Sequence, residues 1–438
     1  MRVAFVTVGN TGRKTGGYLY NARVISGLRQ RGLEIEEIVA GGASPDEQRT
    51  SASQLGSTFN PFRFDTIVVD ALARIAVAPH LDRWLSGQPV VALVHELPSI
   101  AGGESGPETV ARERDYENLL LHADLLVAVS DHGKNVLHDR GVSPGRIHVV
   151  SPGFDGVAAG HGSNARGDGI VRALCVAQWI PRKGILTLVE AWALRERKGA
   201  VLELIGETDA DPDYEALVRT VIDAAPRGSI LVSGGVDDAA LSASYAEADL
   251  FVLPSRYEGY GIVYAEALAF GLPIVACAAG PVPDLVGQEA AILIRPDDKD
   301  ALSEALDLLI TDPTLRARMS AAASHRASRL PRWDDTVTRF EEVLKTAVSA
   351  PKQARAPEAY LRRKEEGQGG DDVDAAQHRA FEPVGFAVEG DESRYDHCGP
   401  EGGEFEGSED QAQGTTEQGS EEDEDGGDEQ GDLDRGPE

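Results

Sequence analysis

Residues 248–277 read ADLFVLPSRYEGYGIVYAEALAFGLPIVAC, and two glutamates eight positions apart, Glu258 and Glu266, stand at its centre. The apolar run that ends at Leu253 predicts a buried parallel strand. A loop then carries Glu258. A helix is expected from about Gly261 to Phe270, with Gly271 as its left-handed stop, before a further strand over Pro273 to Ala276. Glu258 then lies just ahead of the helix and Glu266 about a turn and a half into it, on the order of 12 Å apart along the axis. That is too far to share one proton or one metal ion, but it suits two contacts on an extended ligand. Carboxylates accept paired hydrogen bonds from vicinal diols. The backbone amides of Tyr260, Gly261 and Ile262 at the helix start can meet a phosphate. Sugar, phosphate and ribose in a row describe a nucleotide sugar. Taken singly, each glutamate would be an ordinary solvated acid at a helix end.

Outward from this stretch the chain alternates strand and helix signals. It opens MRVAFVTVGNTGRKTGGYLYNARVISGL. Val3 to Val8 reads as a buried strand, and Leu19, Ala22, Ile25 and Leu28 mark one face of a helix. The loop Gly9 to Gly17 between them is either a plain strand–helix turn or an anion cradle. It is not a P-loop, because Lys14-Thr15 come one residue late after Gly12, and its glycines do not make the G-x-G-x-x-G dinucleotide fingerprint. Short strands are expected at Thr66–Val69, Val90–Val94, Leu125–Val129 and His148–Val150. A glycine-rich break covers Gly153 to Gly169. Strands then resume at Val171–Val176, Val201–Ile205, Ile230–Val232 and Leu250–Leu253. Two such series predict two doubly wound parallel sheets whose carboxyl ends face a shared cleft. Leu302, Ala305, Leu306 and Leu309 give a helix face that Asp312-Pro313 stops. Trp333, Val337, Phe340 and Leu344 mark one more helix.

The charge is −31 over 438 residues. Residues 351–438 hold 8 basic and 27 acidic residues, a net −19, and the first 350 carry −12. An acidic body argues against nucleic acid as a partner, and a bound phosphate must be held by local groups. The tail is too polar to offset its ordering entropy, and disorder is expected there. No run reaches the roughly 18 apolar residues of a membrane span. The chain starts directly in a strand, which leaves no signal peptide. Three cysteines, Cys175, Cys277 and Cys398, show no C-x-x-C spacing, which speaks against a disulfide frame or a zinc site and for a reducing, cytoplasmic setting.

The setting PSRYEGYGIVYAEALAFGLPIVA around E-x7-E resembles the signature of retaining GT-B glycosyltransferases of family 4. The resemblance spans roughly Arg2 to Ala347 and includes ALCVAQWIPRKGILTLVEAWAL, ADLFVLPS, IHVVSPGFD and Gly16-Gly17. It implies that Glu266 holds the ribose hydroxyls of a donor and that Glu258 reaches the donor sugar. Lys183, with Arg182 beside it, contacts the diphosphate. The amides at Gly16 and Gly17 approach that diphosphate from the first domain, and His95 lies near the transferred sugar. The leaving diphosphate would assist removal of the acceptor proton. One position departs: where the family often has Gly-Arg ahead of R-K-G, this chain has Ala177-Gln178. Either Arg182, Arg13 or Lys14 makes up for it or the donor is held less tightly; taken by themselves, Arg13 and Lys14 read as solvated side chains.

The expected organisation is therefore an acceptor-side Rossmann-like domain over 1–160 and a donor-side Rossmann-like domain over 161–332. A helix over 333–349 crosses back to the first domain, and a disordered acidic tail covers 350–438. The expected activity is transfer of a hexose from a UDP-, GDP- or ADP-sugar, without cofactor or metal, to an unidentified acceptor that meets loops such as Ser99 to Pro107. Nothing indicates membrane attachment beyond a small cluster at Arg362, Arg363 and Lys364. Two alternatives stand beside this: a GT-B epimerase or phosphorylase, and a catalytically inactive GT-B scaffold. Asp209-Ala210-Asp211 follows a strand as a metal-binding D-x-D does, but Pro212 and Tyr214 read as a turn into a helix.

Overall fold

A computed structural model describes residues 1–13, 15–42, 44–102, 106–155 and 169–350, all within one compact unit. The acidic tail, Cys398, Lys14 and most of the glycine-rich break lie outside the described residues. Two six-stranded sheets are present, and every pairing in them is parallel. The first comprises β1 (Arg2–Thr7), β2 (Glu34–Val39), β3 (Thr66–Asp70), β4 (Val90–Val94), β5 (Leu125–Ala128) and β6 (Ile147–Val149), in the order β2-β1-β3-β4-β5-β6. The second comprises β7 (Val171–Val176), β8 (Ala200–Ile205), β9 (Ile230–Gly234), β10 (Leu250–Leu253), β11 (Ile274–Cys277) and β12 (Ala291–Ile294), in the order β12-β11-β10-β7-β8-β9.

The central strands β3, β4, β5, β10 and β11 are buried along their whole length, as their β-branched and leucine-rich runs require. The edge strands β2 and β12 were not expected. EIEEIV of β2 keeps most of its residues in contact with solvent, so it lacks the continuous apolar run that marks its neighbours. Asp312 ends the helix Lys299–Thr311, as expected, and at once caps another, Pro313–Ala327, by accepting the Leu315 amide at 2.9 Å. Cys175 and Cys277 are free and buried.

In both sheets the order reverses beside a strand that leads into a helix, between β1 and β3 in the first and between β7 and β10 in the second. Such switch points leave a crevice at the carboxyl ends of the strands. The last helix, Trp333–Ser349, buries Trp333, Val337, Phe340 and Leu344 in the core of the first lobe, with Phe5, Tyr20 and Val24. Thr336 Oγ1 donates to the Ser151 carbonyl at 2.8 Å, and Arg31 pairs with Asp334 and Glu341. Among the described residues no helix is long and apolar enough to cross a membrane.

Candidate active site

The second-lobe switch point gathers the charged groups. After β7 the chain makes a short turn over Pro181–Lys183, and Gly184 then starts the helix Ile185–Ala193. Gly184 has φ +68°, and a Cβ there would lie 2.3 Å from the Pro254 carbonyl oxygen, so this crossing of the β7 and β10 loops admits only glycine. The crossing brings Lys183 onto Glu258, 75 positions away. Lys183 Nζ donates to both carboxylate oxygens, at 2.7 and 2.9 Å, and Ser255 Oγ donates to Oε1 at 2.7 Å. Arg182 lies 3.7 Å from the same carboxylate, donates to the Tyr257 carbonyl at 2.8 Å and pairs across the cleft with Glu96 at 3.3 Å. Glu258 is only 6% exposed. Burial alone would raise its carboxyl, but Lys183 and then Arg182 hold it below the ordinary value.

Glu266 has the opposite setting. It sits on the helix Ile262–Ala269, whose first amides receive no side-chain cap. It lines a cavity of about 290 Å³ with Leu19 and Arg23 of the first lobe, Phe154, Ile262 and Trp333. Tyr245 donates to its Oε2 at 2.9 Å. No cation pairs with it among the described residues, and burial pushes its carboxyl up to about 7. The two glutamates thus sit on one loop–helix unit, one ionised and sequestered, the other poised near neutrality.

From the first lobe, Gly259 is met at backbone level. Ser130 Oγ donates to the Gly259 carbonyl at 2.9 Å, and a Cβ on Gly259 would stand 2.1 Å from the His95 carbonyl oxygen. His95 follows β4. Asn21 gives its amide hydrogen to Asp70 Oδ2 at 2.6 Å, so its Oδ1 is turned to His95 Nε2 at 3.1 Å. Nε2 therefore carries the proton and Nδ1 is left as an acceptor. Burial lowers the His95 pKa, which keeps the ring neutral. Gly16 and Gly17 lie between the lobes. A Cβ on Gly17 would be 3.5 Å from the His95 ring, and one on Gly16 would be 3.7 Å from Ile262 Cδ1. Those are ordinary contacts, so the protein's own packing does not demand glycine at either place. Tyr260, Gly261 and Ile262 complete the loop, with Gly261 at φ +92° opening the helix.

Sequence reading singled out neither Asn21, Asp70, Ser255, Glu207 nor Tyr245. Asp70 had a usable signal, an acid directly after the apolar run Ile67–Val69. Arg13 pairs with Glu207 at 2.7 Å, and Gln178 donates to the same oxygen at 2.8 Å. Ser99 is fixed by Glu117, which accepts from its amide and its hydroxyl at 2.7 and 2.6 Å and from Arg140 at 2.8 Å. Asp211 accepts the Tyr214 amide at 3.1 Å as a helix cap. Among the described residues no three His, Cys, Asp or Glu side chains cluster as metal ligands would. A further cavity of about 500 Å³ lies in the first lobe, lined by Thr7, Thr11, Asn21 and Ser26 among others.

A model of the family described as Glycosyltransferase Family 4 matches residues 19–156, and one described as Glycosyl transferases group 1 matches residues 162–326. A D-inositol 3-phosphate glycosyltransferase of Salinispora arenicola is 30% identical over 329 residues, covering 62% of this chain and 69% of that protein. The chain belongs to glycosyltransferase family 4. Another relative in the family is an MMP alpha-(1->4)-mannosyltransferase of Mycolicibacterium hassiacum, 30% identical over 229 residues. That match spans 52% of this chain and only 54% of the relative's length. The GT-B fold is shared with sucrose-phosphate synthase from Thermosynechococcus elongatus, at TM-score 0.69 and 20% identity over 80% of this chain and all of that one. It is shared too with HepE of Anabaena, solved in complex with UDP-glucose, at TM-score 0.63 and 20% identity over 80% of this chain and all of that one.

Proposed function

We propose that this family 4 chain transfers a hexose, with retention of anomeric configuration, from a nucleotide-diphosphate sugar to an acceptor hydroxyl, without a metal ion. The observation that carries the reading is the Lys183–Glu258 couple at the second-lobe switch point, one turn of chain from the uncapped helix start and Glu266. Lys183 has three N–H groups and spends two on Glu258, so one remains for a phosphate oxygen. Glu258 Oε1 is filled by Lys183 and Ser255, but Oε2 accepts only from Lys183 and keeps a lone pair for a hydroxyl of the donor sugar. Glu266 accepts from the ribose diol. The amides of Gly16, Gly17, Gly261 and Ile262, with Arg182, face the diphosphate and stabilise it as it leaves. His95 Nδ1 accepts from a hydroxyl of the transferred sugar. The departing phosphate takes the acceptor proton, so no protein base is required.

The test is a thermal-stability screen with UDP-, GDP- and ADP-hexoses, since a ligand that binds the native state raises apparent stability by mass action. One nucleotide series should stabilise the protein, and NMR of the product should show the donor's anomeric configuration, unchanged when EDTA is present. An inverted product, conversion of the donor sugar without acceptor, or loss of activity in EDTA restored by manganese would each contradict it.

A further inference from the structure

The Arg13 side chain crosses from the first lobe to the second. It leaves the glycine loop between β1 and the helix Gly16–Gln30 and ends 2.7 Å from Glu207 Oε2. Glu207 follows β8. Its backbone carbonyl accepts the Trp179 amide at 2.8 Å, and its Oε2 accepts Gln178 Nε2 at 2.8 Å, so it is bound to the turn after β7. Three side chains from three segments therefore meet at the carboxyl ends of adjoining strands, on the turn that leads to Arg182 and Lys183. Charge decides what they can do. Lys183 and Arg182 are already balanced by Glu258 and Glu96. A diphosphate brings several further negative charges. The Lys183–Glu258 pair is closed off, at 16% and 7% side-chain exposure, whereas Arg13 and Glu207 are 31% and 40% exposed. An exposed pair of that kind contributes little and is easily exchanged. Gln178 keeps Glu207 hydrogen-bonded once the arginine has gone.

Resting on the nucleotide-sugar reading, we propose that Arg13 is a donor-positioning residue whose guanidinium passes from Glu207 to the diphosphate when donor binds. Part of the grip on the donor then comes from the opposite lobe, and donor binding draws the lobes together. Calorimetry of the full chain with UDP, GDP and ADP tests it. Arg13→Ala should weaken the preferred diphosphate about tenfold or more, as loss of a charge-assisted hydrogen bond does, and flatten its salt dependence. Glu207→Gln, which removes the competitor, should leave that affinity unchanged or tighten it. Gln178→Arg added to Arg13→Ala should restore much of the loss, since it supplies a cation at the same carboxylate. Equal weakening by Arg13→Ala and Glu207→Gln would show that the pair merely latches the lobes, and unchanged affinity in Arg13→Ala would also overturn the assignment. A wild-type chain that binds none of the three diphosphates would instead remove the nucleotide-sugar reading beneath it.

Discussion

The carboxyl ends of the two sheets are built alike and furnished differently. In both, the strand order reverses beside a strand that feeds a helix with no side-chain cap at its start. Around the second-lobe switch point stand the ion-paired side chains of Lys183, Arg182 and Glu258, with Glu266 close by. Around the first stand Gly16, Gly17 and a neutral His95, whose proton is assigned by an Asn21–Asp70 relay. A highly charged ligand component belongs with the lobe that holds compensating charge. A component recognised through hydroxyl groups needs only neutral donors and acceptors. The contrast weights the proposed reaction: the second lobe supplies the paired charges around the leaving group, while the first adds neutral groups, the Gly16 and Gly17 amides for the diphosphate and His95 for the sugar, with Arg13 as a cation that reaches across the cleft.

Lys183→Ala should strain that division most. It strips two hydrogen bonds from a carboxylate that is 6% exposed. Removing the nearer cation of a buried ion pair, with Arg182 left 3.7 Å away, costs up to about 3 kcal/mol of stability, and losing a phosphate-facing cation costs on the order of a hundredfold or more in kcat/KM. Melting curves and steady-state kinetics read the two effects separately, and a variant with near-normal turnover would break the comparison. Glu266→Ala should be milder. The protein stays folded and donor affinity falls on the order of tenfold to a hundredfold by calorimetry. His95→Ala acts from the other side of the cleft. It should lower kcat/KM several-fold, to about tenfold, and weaken the intact donor while leaving affinity for the free nucleoside diphosphate unchanged; a loss of diphosphate affinity would place His95 with the second lobe's task.

The smallest effect is a pH response. Glu266 is raised to about 7, above its unfolded value, so its contribution to stability is present at low pH and is lost as pH rises through about 7. Glu266→Gln should therefore gain relative melting temperature between pH 5 and pH 8 and level off beyond. Donor affinity of the wild type should rise a few-fold over the same range, because the ionised carboxylate accepts from both ribose hydroxyls. A pH-independent affinity ratio between wild type and Glu266→Gln would argue against the ribose contact.

Much of this was legible in the sequence where burial is complete. β4 and β10 carry the bounds expected of them, because a strand buried on both faces leaves no polar position to blur its limits. The unforeseen β2 and β12 are sheet edges, and the edge strand EIEEIV resembles a solvated segment. The E-x7-E unit was readable because its strand, loop, helix and stop are contiguous. The Lys183–Glu258 and Arg13–Glu207 pairs had no local signal, since 75 and 194 positions separate the partners and only the crossing of loops unites them. Gln178 was noticed as a departure, but the carboxylate it shares with Arg13 was not.

The last helix has a consequence for synthesis on the ribosome. Phe340 and Leu344 are fully buried among residues of β1 and of the helix that follows it, so the opening segment's core is completed by residues translated more than 300 positions later. A nascent chain that has emerged only through β6 must keep that apolar face uncovered for many seconds at ordinary elongation rates. Chaperone demand should therefore peak before the helix appears, and a stop codon placed just ahead of Trp333 should direct the polypeptide to aggregation or proteolysis rather than to a catalytically idle enzyme.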